Sequence, residues 1–128
     1  MNKYLLDTHT LIWLIESSPK ISDDVKKKIK LPETMVYLSS VSLWEIAIKI
    51  SIGKLELKSS FSELLSDLHK TDIIILQIEN SYLRTLINLP FIHKDPFDRL
   101  IIGTALVEGL TVITADEDIR KYNIPWIW

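Results

Sequence analysis

The sequence predicts an α/β fold: a three-layer α/β/α sandwich with a central parallel sheet of about five strands, formed as one domain over residues 1–128. Short apolar runs alternate along the chain with stretches of helical length, the order that lays helices over both faces of a parallel sheet. The runs KYLL (3–6), VYLS (36–39), IIIL (73–76) and TVIT (111–114) are continuous rather than alternating, as strands covered on both faces are. A chain of 128 residues with 47% hydrophobic content fills one core, and no repeat, low-complexity tract or linker divides it.

The first strand, residues 3–6, ends on Asp7-Thr8, and residues 9–15 run off it as a short helix that Ser17-Ser18-Pro19 breaks. Ser22 caps a helix to about residue 30. Asp23 and Asp24 lie in its first turn and Lys26, Lys27, Lys28 and Lys30 toward its end, so its charges suit the helix dipole. Pro32-Glu33 turns the chain into the second strand, residues 36–39. Residues 41–52 read as a helix stopped by Gly53, and residues 53–59 as a connector. Ser60 with Glu63 forms a capping box for a helix to about His69. After the third strand, residues 79–88 are helical and Leu89-Pro90 ends them. In DPFDRLIIGTALVEGLTVITADED (95–118), Asp95 reads as an N-cap and Pro96 as the first helical residue, where a missing N–H costs nothing. Glu108-Gly109 closes that helix, and residues 111–114 have the β-branched content of a strand. A short turn or helix to Tyr122 and a last strand around 125–128 complete the chain.

Composition excludes several functions. With no cysteine, neither a disulfide framework nor a thiolate metal site is available. A formal net charge of −2 argues against binding nucleic acid by bulk charge, though not against local binding with a metal ion at the phosphate. No apolar run approaches a membrane span, and MNKYLLDTHT carries an early Asp that a signal peptide would not, so a cytoplasmic location without membrane association is expected. The histidines His9, His69 and His93 are too scattered for a metal triad. Trp13, Trp44, Trp126 and Trp128 are expected mostly in the core, with some apolar surface left for partners.

Ligands of such a sheet bind outside the carboxyl ends of its strands. Asp7 ends the first strand, Glu45 lies in the first turns of the helix after the second, and Asp116 follows the strand 111–114. Asp98 joins them only if its helix starts at that same edge. Each acid has a structural alternative. Asp98 at the third helical position fits a capping box, Asp116 fits a cap on the segment 117–122, and Asp7 could cap the helix after it. Glu45 fits a solvated pair with Lys49, yet Val41, Ile48 and Ile52 share its stripe and recess it. A buried carboxylate needs a partner or a metal. Carboxylates converging at one edge repel one another unless a cation sits among them, and oxygen ligands without Cys select Mg2+ or Mn2+. Such a site can activate a water and stabilise the charge that builds up on a phosphodiester.

With these segments assembled, the sequence resembles the PIN-domain family and, within it, the VapC-type ribonuclease toxins of toxin–antitoxin systems. LLDTHTLIW carries Asp7 as the family's first acid with Thr8 beside it, and SSVSLWEIAIK carries the second, Glu45. HKDPFDRLIIGTA resembles the subgroup form HxDPFDR and aligns Asp98 with the third acid. LTVITADEDI carries the fourth, Asp116, with Thr114 as the hydroxyl residue before it. Four segments in order and spacing, over nearly the whole chain, make the resemblance specific. It implies a PIN-like five-stranded sheet with the acids gathered at one end, Mg2+- or Mn2+-dependent endoribonuclease activity, and a homodimer. It also implies a cognate antitoxin whose C-terminal segment lies across the active site and whose N-terminal domain binds the operator, so that DNA is met only through the antitoxin. RNA targets in this family are tRNA or ribosomal RNA, whose cleavage inhibits translation. On this reading Asp7, Asp98 and Asp116 supply most of the metal's protein oxygens, and Glu45 holds a water at the metal or a second ion. Asp95 is a structural cap, and Asp118 a peripheral group or one that supports the ligands from behind. His93, Lys94 and Arg99 are placed to meet a phosphate backbone, although Arg99 could equally pair with a neighbouring acid.

The nearest alternative is a catalytically degenerate PIN module that binds RNA or protein, which the four filled acidic positions disfavour. A haloacid-dehalogenase-like phosphatase needs a second Asp where His9 stands, and a response-regulator receiver needs a phosphorylatable Asp where Gln77 follows the third strand.

Overall fold

The computed structural model describes residues 2–128. Its strands are β1 (Lys3–Leu6), β2 (Met35–Ser39), β3 (Ile74–Leu76), β4 (Thr111–Ile113) and β5 (Trp126–Ile127). They pair in parallel in the order β3-β2-β1-β4-β5. The helices are α1 (Thr8–Ile15), α2 (Asp23–Ile29), α3 (Ser40–Ser51), α4 (Phe61–His69), α5 (Asn80–Ile87), α6 (Pro96–Glu108) and α7 (Glu117–Arg120). The chain steps outward from β1 to β2 and β3, then crosses back to β4 on the other side of β1. That reversal opens a crevice between the carboxyl ends of β1 and β4, where ligands of open parallel sheets bind.

The pleat of β1 divides the core. Tyr4 and Leu6 face a cluster with Leu11, Ile12, Val25, Ile46, Leu64 and Leu68, drawn from α1 to α4. Leu5 faces the opposite cluster with Tyr82, Leu100, Ile101, Val112, Ile119 and Tyr122, drawn from α5, α6, β4, α7 and the residues after it. The three-layer expectation therefore holds, and each fully buried Leu or Ile contributes roughly 1.5–3 kcal/mol. Among the described residues no helix is long and apolar enough to cross a membrane.

Local chemistry sets the helix starts. Ser22, Ser39, Ser60 and Asp95 each accept a backbone N–H at an N-terminus, from Val25, Val41, Glu63 and Asp98. Ser39 is both the last residue of β2 and the cap of α3, so strand and helix join without a loop and Glu45 stays close to the sheet edge. Gly109 closes α6 in the left-handed conformation at φ 67°, as a C-terminal glycine should.

The placement of Asp98 depends on α5 and α6. Near the start of α6, Arg99 donates to the carbonyls of Leu86 and Pro90, at the end of α5 and just beyond it. Tyr82, near the start of α5, donates to Glu108 at the end of α6. The two helices are thus antiparallel, and the segment 88–95 returns the chain to the edge where α6 begins. They touch closely, since a Cβ on Gly103 would lie 3.0 Å from the Tyr82 carbonyl oxygen.

Two expectations need correction. The run at 73–76 does form a strand, but β3 is an edge strand and partly exposed, so its apolar side chains are not covered on both faces. None of the four tryptophans is fully buried: Trp44 is 58% exposed, Trp126 is exposed, and Trp13 and Trp128 pack only partly against the core.

Candidate active site

Asp7 follows β1 at the N-cap position of α1, but its side chain makes no cap bond. Its Oδ2 instead accepts from Thr114 Oγ1 at 2.7 Å, across the crevice at the end of β4. The same Thr114 oxygen accepts the backbone N–H of Asp116 at 2.9 Å. Asp116 caps α7, its Oδ1 accepting from the N–H groups of Asp118 at 2.8 Å and Ile119 at 3.1 Å. Asp98, 8% exposed, has its Oδ2 3.1 Å from His93 Nε2. No buried side-chain oxygen lacks a partner among the described residues, so the carboxylate oxygens of Asp98 and Asp116 that these bonds leave unused are open to solvent.

Glu45 differs. It is 2% exposed, with Oε1 accepting from Thr8 Oγ1 at 2.7 Å and Oε2 from the Lys49 ammonium. The pair with Lys49 and the recessed position, which the sequence offers as alternatives, hold together. With both oxygens engaged, Glu45 stands behind the other acids rather than beside them as an open ligand. Ser42, 2.9 Å from Thr8 Oγ1, completes this cluster.

Electrostatics ties the four acids to one edge. Burial first, then the negative charges of Asp95, Asp7, Asp116 and Glu45, push Asp98 up to about 8. Burial likewise raises Asp7 to about 6, with Asp116 adding to the rise and the Thr114 hydrogen bond and His9 opposing it. Partial burial presses Lys49 down, but its bond to Glu45 and the charges of Glu45, Asp95 and Asp98 outweigh this and hold it above its ordinary value. Because Lys49 offsets a buried carboxylate, Lys49→Met should cost about 1–3 kcal/mol in thermal unfolding without metal. Adding Glu45→Gln should recover most of that loss, and a double variant no better than the single one would show that the pair does not couple.

The other singled-out residues divide. Asp95 is the cap of α6, with Oδ1 accepting from Asp98 N–H at 2.9 Å. The capping-box role for Asp98 is not seen, since its side chain turns to His93 instead. Asp118 is peripheral and pairs with Lys121 at 3.1 Å. Lys94 is exposed beside the site. Arg99 does not face solvent: it is buried, spends its donors on Pro90, Leu86 and Tyr122, and lies 4.9 Å from the Phe91 ring. Nor does His93 point outward, lying between Asp98 and the Tyr122 hydroxyl.

Beside Asp7 and Asp116 opens a cleft of about 230 Å³, walled by His9, Trp13 and Ala115. The Trp13 ring is held by Trp128 and His9, each with centroids 5.7 Å away. Sequence reasoning assigned neither His9 nor Trp13 to the cleft, although their positions two and six residues after Asp7 place them on α1 as it leaves that edge. A larger groove of about 480 Å³, lined by residues such as Leu14, Ile29, Val36 and Ile73, gathers no acid cluster.

The donor set suits a hard divalent cation: every acid offers oxygen, and burial with mutual repulsion penalises the ions that a cation would neutralise. Among the described residues no three acids or histidines draw together into a closed metal shell. An ion held by one or two carboxylates, with water and substrate oxygens completing its coordination, does not require one.

Residues 4–125 match the family model of the PIN domain. The fold is similar to that of VapBC2 from Rickettsia felis bound to a DNA fragment from its promoter, with 17% identity, 98% of this chain and 97% of that chain covered, and a TM-score of 0.74. DNA-bound VapBC from Salmonella typhimurium gives 20% identity, 99% and 98% coverage, and a TM-score of 0.72. VapBC-1 from nontypeable Haemophilus influenzae gives 19%, 98% and 96%, and 0.64. A search of curated proteins returns no match. With the family model spanning nearly its whole length, the chain belongs to the PIN domain family.

Proposed function

We propose that the protein is a divalent-cation-dependent endoribonuclease, the toxin of a type II toxin–antitoxin pair acting in the cytoplasm on tRNA or ribosomal RNA. The observation that carries this reading is the gathering of Asp7, Glu45, Asp98 and Asp116 at the carboxyl edge of the sheet, with Asp7 and Asp98 charged only at a cost. Asp7, Asp98 and Asp116 would hold the ion, and Mg2+ or Mn2+ bound there supplies an activated water and charge neutralisation on the phosphodiester. Thr114 fixes Asp7 against Asp116, while Thr8 and Lys49 fix Glu45 behind them. The reaction adds a water oxygen to phosphorus and breaks the bond to one ribose oxygen. Lys94 meets the backbone, and Trp13 and His9 offer an unpaired base a wall beside the reacting phosphate.

The neighbours' descriptions as VapBC assemblies, two of them with DNA, support a cognate antitoxin as partner, with DNA met through it. Exposed Trp44, Ile87 and Phe91, at 58%, 75% and 72%, support a homodimer.

Metal titration with a mixed tRNA substrate tests the reading. Cleavage is expected to appear with Mg2+ or Mn2+ and vanish in EDTA. RNA binding without cleavage at any metal concentration would favour the degenerate module.

A further inference from the structure

Asp98 is held by a closed ring of hydrogen bonds that the acid cluster alone does not require. Its Oδ2 lies 3.1 Å from His93 Nε2, and His93 Nδ1 lies 2.8 Å from the Tyr122 hydroxyl. The Tyr122 hydroxyl lies 3.1 Å from Arg99 Nη1, and Arg99 follows Asp98 in the chain. Consecutive helical residues do not face each other, so the ring must pass through two other segments to close. The loop 88–95 supplies His93, and the residues after α7 supply Tyr122. Tyr122 and Arg99 are buried, and the His93 side chain is only 12% exposed.

The hydrogens in this ring can be assigned from donor chemistry. A guanidinium has no acceptor, so Arg99 donates to the Tyr122 oxygen. The tyrosine's single hydrogen is then directed at its other close partner, His93 Nδ1. A neutral imidazole that accepts at Nδ1 carries its hydrogen at Nε2, which points at Asp98 Oδ2. We propose that Arg99, Tyr122 and His93 form a positioning relay that fixes the tautomer of His93 and through it the orientation of the Asp98 carboxylate, turning its other oxygen to the site. The relay assigns a purpose to the spacing HxDPFDR: His93 five residues before the acid and Arg99 directly after it are the two ends that Tyr122 joins. Arg99 also binds the Pro90 and Leu86 carbonyls, so the loop that carries His93 is fastened to the same guanidinium. Partners that orient a ligating carboxylate typically change metal affinity by about 10–100-fold when lost.

This inference rests on Asp98 being a metal ligand, and its test separates the two. Long-range 1H–15N spectra of the metal-free protein are expected to show His93 as the Nε2–H tautomer, and Tyr122→Phe to lose that preference. Mn2+ binding, followed by electron paramagnetic resonance, should weaken about tenfold or more in Tyr122→Phe and in His93→Phe. In His93→Gln, which keeps a donor near Nε2, it should stay within about threefold of wild type. An Nδ1–H tautomer in the wild type would overturn the relay, as would unchanged Mn2+ affinity in a folded Tyr122→Phe. If Tyr122→Phe does not fold, equal Mn2+ affinities in His93→Phe and His93→Gln overturn it instead. A wild type that binds no Mn2+ would instead overturn the ligand role of Asp98, while the tautomer still decides the relay.

Discussion

Asp98→Asn and Asp7→Asn are expected to lower metal-dependent RNA cleavage by roughly a thousandfold or more while making the metal-free protein more stable. Loss of activity follows from removing an anionic oxygen from the proposed cation site. The gain in stability follows from the titration of these groups. In the unfolded chain both carboxyls titrate near 3.8, whereas in the fold Asp7 is pushed up to about 6 and Asp98 to about 8, burial being the first cause at each. The folded chain therefore holds protons that the unfolded chain has released, and unfolding free energy falls as pH rises from about 4 to about 8. A hundredfold difference in proton affinity is worth about 2.7 kcal/mol. Asp7 thus costs the metal-free fold on the order of 2–3 kcal/mol at neutral pH, and Asp98 at least as much above pH 8. An asparagine keeps the Thr114 bond at position 7 and carries no charge to bury. Thermal unfolding in EDTA at pH 8 should show Asp98→Asn melting roughly 5 °C or more above wild type, with the difference vanishing near pH 4. Added Mn2+ should raise the wild type and leave the variant behind, with an affinity that climbs with pH because binding must displace the proton. A variant that cleaves at the wild-type rate would remove that acid from the site. One less stable at pH 8 would remove the argument from burial.

Gly103→Val should lower stability by about 2–4 kcal/mol and carry activity down with it. A Cβ at this position meets Tyr82 O at 3.0 Å and Leu86 N at 3.6 Å, both backbone atoms that cannot swing aside as a side chain would. Alanine regains about 1 kcal/mol of helix propensity and should come out only mildly destabilising. Valine adds two methyls with less of that compensation and should force α5 away from α6. Leu86 and the loop after it would then leave Arg99, and His93 would follow the loop. Calorimetry on the two variants, with hydrogen exchange on α5, would measure this. A valine variant that melts with the wild type would show that the helices have room to part.

Much of the fold was legible because its signals are local. The apolar runs became strands, and Ser22, Ser60 and Asp95 became caps through bonds spanning three residues. The exposure of β3 was not legible, since it depends on where the strand falls in the sheet order. The join at Ser39 was missed because one residue serves both strand and helix. At the site, Glu45 and Lys49 were readable as an i,i+4 pair, but not as a pair sunk beneath other acids. Arg99 and His93 turned inward because Tyr122, far along the chain, brings a hydroxyl that no local pattern announces.

The bond from Thr114 to Asp7 joins residues 107 apart, between the end of the central strand β1 and the end of β4. A chain still growing from the ribosome has made three of the four acids before β4 exists to seat beside β1. Contacts of such long sequence separation form late. The acidic edge is thus withheld until residue 114 has been made, and a nascent chain that stops short of β4 carries Asp7, Glu45 and Asp98 without the bond that orders them.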